Sequence, residues 1–215
     1  MALNINGTTG ISGVDGSVSA PAVTGTDSNT GITFPAADTI KFSTGGVERM
    51  SITNSGVSGI TQGVTELDSW RITSAFSNFG NNYLTANWER NDNEFEKIGT
   101  GLTESSGVFS FPSTGKYVIL YNGQATGNGD RYIGIVGYVS SNGGSSYSQL
   151  SEAYGSAYNS GNATYANFSL VDSVDVTDTS QFRLRFLASS SGTCTYAGDT
   201  TSNRNGFIAF KLGET

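Results

Sequence analysis

Histidine is absent from this 215-residue chain, and cysteine occurs once, at Cys194. Without an imidazole there is no Ser-His-Asp or Cys-His catalysis, none of the usual zinc sites, and no side chain that ordinarily titrates near neutral pH. A single thiol closes no disulfide within the chain, so stability has to come from packing or assembly. Cys194, in SSSGTCTYAG, is expected to be a semi-buried structural thiol. Proline is limited to 3 residues, and no apolar run approaches the length of a membrane span. Basic residues are scarce as well, 11 Lys and Arg against 18 Asp and Glu, giving a formal net charge of −7. That balance disfavours nucleic acid and anionic membranes as partners. The opening MALNINGTTG has neither a basic start nor an apolar stretch, so no secretion signal is expected. No phosphate loop, dinucleotide fingerprint or EF-hand loop occurs, and no cofactor or resident metal is expected.

What the chain has in quantity is glycine, 29 residues, and aromatics, 11%. With so little proline this is the composition of a β-rich folded protein. The stretch GVFSFPSTGKYVILYNG, from Gly107 to Gly123, is the densest apolar strand. Tyr117, Ile119 and Tyr121 alternate with Val118 and Leu120, so both faces are apolar and the strand is expected to be covered twice. The simplest second cover is a neighbouring subunit. In RYIGIVGYVS the same holds, with Ile133, Ile135 and Val139 on one face and Tyr132, Val136 and Tyr138 on the other. FRLRFLA instead turns Phe182, Leu184 and Phe186 inward and Arg183 and Arg185 outward, as a strand with one wet face does.

The chain divides by composition into three parts. Residues 1–19 are small and polar and read as either a flexible arm or a piece ordered only against a partner surface. Residues 20–66 carry short strands, GITF, TIKFS and VERMSIT, separated by the turn chemistries PAAD, TGG and NSG. Their apolar residues (Ile32, Phe34, Ile40, Phe42, Val47, Met50 and Ile52) are too few for an independent core. Residues 59–68, GITQGVTELD, read as a joint. From residue 67 onward strands recur at the spacing of a jelly roll, with an Asn-Gly hairpin pattern at Asn142-Gly143.

Two resemblances follow from these residues. Gly107, Phe109, Pro112, Gly115 and Tyr117 resemble the central signature of C1q/TNF-like jelly rolls, and RNGFIAFKLGE, with Gly206, Phe207 and Leu212, is similar to the closing strand. VDVTDTSQFRLRF is similar to the turn and strand before it. The resemblance implies an all-β homotrimer: an N-terminal fibre-like β-meander followed by a C1q/TNF-like jelly roll. It places Tyr117 or Tyr121 near the trimer axis, and Tyr117, Ile119, Tyr121, Tyr132 and Tyr138 are the expected interface residues. Thr30, Gly31, Phe34 to Asp38, Ile40, Phe42 to Gly46, Glu48, Arg49 and Asn54 to Gly56 resemble a module of bacteriophage tail fibres and other virion appendages. That resemblance implies a non-enzymatic virion protein, a trimeric short fibre or surface appendage. Residues 1–19 would attach to other virion proteins and the jelly roll would meet a host-surface glycan or protein. The alternative is a trimeric capsid decoration, or cement, protein.

Three residue groups remain as candidate sites. Tyr147, Tyr154 and Tyr158, together with Tyr165, are spaced by Ser, Asn and Gly, the chemistry of adaptable binding loops; subunit contacts are the equal alternative. Asp172, Asp175 and Asp178 offer oxygen ligands for calcium, although capping a turn is the stronger expectation. Asp92, Glu94 and Glu96 alternate on one face as a hydrolytic pair would need, but read better as solvated loop charges.

Overall fold

The computed structural model describes residues 4–6, 10–12, 15–60, 63–93 and 97–215. They form two compact units, Met1–Gly63 and Val64–Thr215. No helix occurs among the described residues.

In the first unit, β1 (Asn4–Asn6) pairs with β2 (Gly10–Ser12), and β3 (Gly16–Ser17) with β4 (Ala20–Pro21). The strands β5 (Val23–Thr24), β6 (Gly31–Ala36), β7 (Thr39–Thr44), β8 (Val47–Thr53) and β9 (Gly56–Ser58) form an antiparallel meander in sequence order. The turn residues dictate its register. Ala37 and Asp38 join Ala36 to Thr39, and Asp38 accepts the left-handed φ of 54° that acidic and amide residues tolerate best. Gly45 and Gly46, at φ 60° and 74°, make the two-residue connection between Thr44 and Val47 that needs two left-handed residues. The unit has little core. Thr33, Ser43 and Ser51 are buried, whereas Phe34, Val47 and Ile52 are exposed. A residue expected to belong to a separate arm bonds to this sheet, the Phe34 N–H donating to the Asp15 carbonyl at 2.8 Å.

The second unit is a sandwich. One sheet comprises β10 (Leu67–Ile72) with β12 (Trp88–Arg90) and β13 (Lys97–Ile98) on one side, then β21 (Asn205–Gly213), β16 (Gly115–Gly127) and β19 (Thr164–Val176). The other layer, continuous with the first where β16 pairs with β20 at Ala125–Tyr196 and Thr126–Thr195, has β20 (Arg183–Tyr196) at its centre, flanked by β11 (Phe76–Tyr83) and the short β14 (Thr103–Ser105) and β15 (Val108–Ser110) on one edge. On its other edge lie β17 (Ile133–Ser140) and β18 (Ser148–Gly155). Between the sheets sits an aromatic core in which Phe109, Phe186 and Phe207 meet edge-on or tilted, with Phe109 and Phe207 centroids 4.7 Å apart. Cys194 is buried in the same core, where desolvation pushes its thiol pKa up.

Glu66 and Asp68, read as joint residues, belong to the sandwich. The Glu66 carbonyl accepts from Lys211 N–H, and the Asp68 carboxylate is wholly buried. It accepts from Trp70 Nε1 at 2.9 Å, from the Arg90 guanidinium at 2.9 and 3.1 Å, and from Leu102 N–H at 2.7 Å. A buried charge needs such partners, and here they bind β10 to β12 and to the segment leading into β14.

Candidate functional site

The long strand β16 decides which surface the sandwich offers. Its two apolar faces are not equivalent. Tyr117, Ile119 and Tyr121 have no accessible surface and pack wholly inside the sandwich, so they have none left for a second copy to touch. This corrects their expected place at a subunit interface: bulk and burial put the aromatic face inward, against Phe111, Phe168 and Phe186. The Tyr117 hydroxyl donates to the Ser113 carbonyl at 3.1 Å, while the Tyr121 hydroxyl is buried with no partner. Burial pushes the pKa of both phenols up.

The second apolar face belongs to Val118 and Leu120, and directly paired residues of neighbouring strands share it. Leu67, Phe210 and Val118 form one row across the sheet; Ile208, Leu120 and Val171 form the next. All are half-buried except Val171, which is 65% exposed. Farther along the same face the residues turn polar. Asn122, Gln124, Asn167, Ser169 and Arg204 line a cleft of about 560 Å³, laced by an Asn122–Ser169 hydrogen bond of 2.6 Å.

Tyr132 and Tyr138 are on the other sheet, so the five expected interface residues do not share a surface. Tyr132 packs edge-on against Tyr154 at 5.5 Å and Tyr138 against Tyr83 at 5.7 Å.

The loop tyrosines separate too. Asn142 ties the loop between β17 and β18, its Oδ1 accepting from Ser146 N–H at 3.0 Å, and the chain returns with Tyr147 over Arg185. The Arg185 central carbon lies 3.5 Å from the Tyr147 ring centroid and 3.7 Å from that of Tyr83. Both rings lie within cation–π distance of the guanidinium. Tyr154 is half exposed beside Glu152, whereas Tyr158 is 77% exposed and makes no aromatic contact among the described residues. The pairing of Arg185 with Tyr83 and Tyr147 was hidden in the sequence, because the three lie far apart in the chain.

The aspartates are not brought together as a metal site. Asp178 Oδ1 accepts from both the N–H and hydroxyl of Ser180, the capped turn expected before β20, and these bonds hold its pKa below the ordinary value. Asp172 accepts from the Ser173 N–H, and Asp175 points to the opposite face of β19. Among the described residues no group of three His, Cys, Asp or Glu side chains could hold a metal ion. Asp92 pairs with Arg71 at 2.6 Å, and Glu94 and Glu96 lie outside the described residues.

No protein-family model matches the chain, and no curated protein does so by sequence. Solved structures match by shape. The structure of Eiger TNF from S. frugiperda is 12% identical and covers 69% of this chain and 93% of its own, with a TM-score of 0.50. Murine APRIL at pH 5.0 is 13% identical over 68% of this chain and 98% of that one, with a TM-score of 0.48. The chain's C-terminal unit is thus a TNF-like jelly roll, all-β as expected.

Proposed function

We propose that this chain is a non-enzymatic structural protein of a bacteriophage virion, homotrimeric, a short fibre or surface appendage. In this reading the N-terminal unit joins the particle and the jelly roll faces outward. The observation that carries the assembly is the two-row stripe of Leu67, Phe210, Val118, Ile208, Leu120 and Val171, an apolar sheet face beside a polar cleft. Interfaces have that anatomy, with an apolar centre and a polar flank. The virion assignment is supported by the resemblance of Thr30 to Gly56 to appendage modules, whose PAAD and TGG pieces form tight β-hairpin turns. Gold-labelled antibody against the chain, viewed on purified particles, tests it: label on the tail supports a fibre and label over the head a decoration protein. Unlabelled particles would remove the virion reading.

A further inference from the structure

Two arginines of the sandwich make no side-chain hydrogen bond or ion pair among the described residues: Arg131, which is exposed, and Arg185, which is half-buried. Arg71 and Arg90 are paired with carboxylates, Arg204 bonds Asp199, and Arg183 donates to the carbonyls of Thr179, Ser180 and Phe182. Arg185 has no carboxylate within ion-pair distance and no hydrogen-bond acceptor among the described residues, and its Nε is buried without a partner. Its central carbon lies over the rings of Tyr83 and Tyr147, with Tyr138 centred 6.0 Å away. A guanidinium held against two rings keeps its charge and loses its freedom to turn, and its two terminal nitrogens, unlike Nε, are not buried. Such a preorganised fork suits a carboxylate.

Tyr83 is 39% exposed and also lines a cleft of about 330 Å³. Ser77, Thr85 and Asn87 share that lining, and their side chains make no hydrogen bond to any described residue. Tyr83 is therefore common to an unpaired cation and to a cleft whose exposed Ser77, Thr85 and Asn87 side chains are free to bond a ligand. A sugar presents weakly positive C–H bonds to the face of an aromatic ring and hydroxyls at its rim; both match what Tyr83 and the cleft offer.

We propose that this surface binds an acidic saccharide, its carboxylate on the Arg185 edge and its adjoining ring running over Tyr83 into the cleft. The inference rests on the preceding reading and deepens it by giving the outward-facing jelly roll a host-surface ligand, yet its geometry lies within one chain and does not depend on the trimer. An acidic peptide would satisfy Arg185 but leave the cleft's hydroxyls and amide unused.

Calorimetric titration of the full chain with a tetrasaccharide alternating glucuronate and N-acetylhexosamine tests this, alongside the same sugar with its carboxyls reduced to alcohols. The acidic sugar should bind, and the reduced one should bind roughly tenfold or more weakly, the loss of a charge-assisted bidentate contact. Arg185→Gln should match that loss, and Thr85→Ala should weaken binding a few-fold. Equal binding of both sugars, no binding of the acidic one at millimolar concentration, or tighter binding of a Glu-rich peptide would overturn the proposal. If Arg185→Gln fails to fold, the comparison of the two sugars on the wild-type chain still decides. Light scattering on the same samples separates the readings: binding by a monomer would keep this site and sink the trimer, while a non-binding trimer would do the reverse.

Discussion

Two tyrosines on one strand face test how burial and hydrogen bonding divide the work. Tyr117 and Tyr121 are equally buried, but the first has an acceptor for its hydroxyl and the second has none. Removing a buried hydroxyl that is bonded costs about 1 kcal/mol, whereas removing one without a partner relieves a desolvation penalty. Tyr117→Phe should therefore lower stability by about 1 kcal/mol in chemical unfolding, and Tyr121→Phe should leave it unchanged or raise it. Tyr121→Ala removes the ring as well and should cost about 3–5 kcal/mol, a defect of the fold. The same burial sets a pH dependence. Tyr117, Tyr121 and Tyr196 have pKa values raised by desolvation above the ordinary 10.0. All are neutral in folded and unfolded chains below pH 10, so their contribution is intact there. It is lost as the pH rises past 10, where only the unfolded phenols ionise. Absorbance at alkaline pH should show these three titrating late and together with loss of the near-ultraviolet circular dichroism; independent early titration would contradict their burial.

Elements were legible in the sequence to different degrees, and the differences have physical causes. Arg183 and Arg185 against Leu184 and Phe186 fix the faces of β20, because charge and bulk alternate with the two-residue period of a strand. The hairpin turns at Ala37-Asp38 and Gly45-Gly46 were readable from local chemistry. In β16 periodicity found two apolar faces but could not rank them, and the aromatic one proved to be the core. Position in the chain gave no sign of the role of Asp68, which sits at the end of the stretch read as a joint and anchors three segments. Asp68→Ala would strand Arg90 and the Trp70 indole N–H. Such a break typically costs about 3–5 kcal/mol, so a thermal melt of this variant should fall far below that of Asp175→Ala, an exposed aspartate with no side-chain hydrogen bond among the described residues. The Tyr83–Arg185–Tyr147 stack was illegible for another reason: it joins three separate elements, and no local pattern marks residues that meet only after the sheets close.

At the scale of the whole molecule the question is what covers the outer face of β10, β21, β16 and β19. Soluble monomers rarely leave contiguous apolar patches of large area on view, and this face carries two adjacent rows of them with Val171 65% exposed. A rotationally closed ring of identical chains hides such a face three times over without leaving an open end, because each chain meets its neighbour by the same contact. The residues that would carry the contact are Val118, Leu120, Val171, Ile208 and Phe210, and they lie opposite the core, so they can be altered without opening it. Leu120→Asp and Val171→Asp put a carboxylate where a neighbour would strip it of water, a change that typically costs several kcal/mol at a buried interface. In a monomer the same charge stays solvated at Val171 and stability should change little. Light scattering on the full chain should give three times the chain mass at micromolar concentration, falling to one chain mass for either variant with its circular dichroism spectrum kept. A wild-type monomer at that concentration would sink the trimer, and a trimer untouched by both substitutions would move the contact to another face.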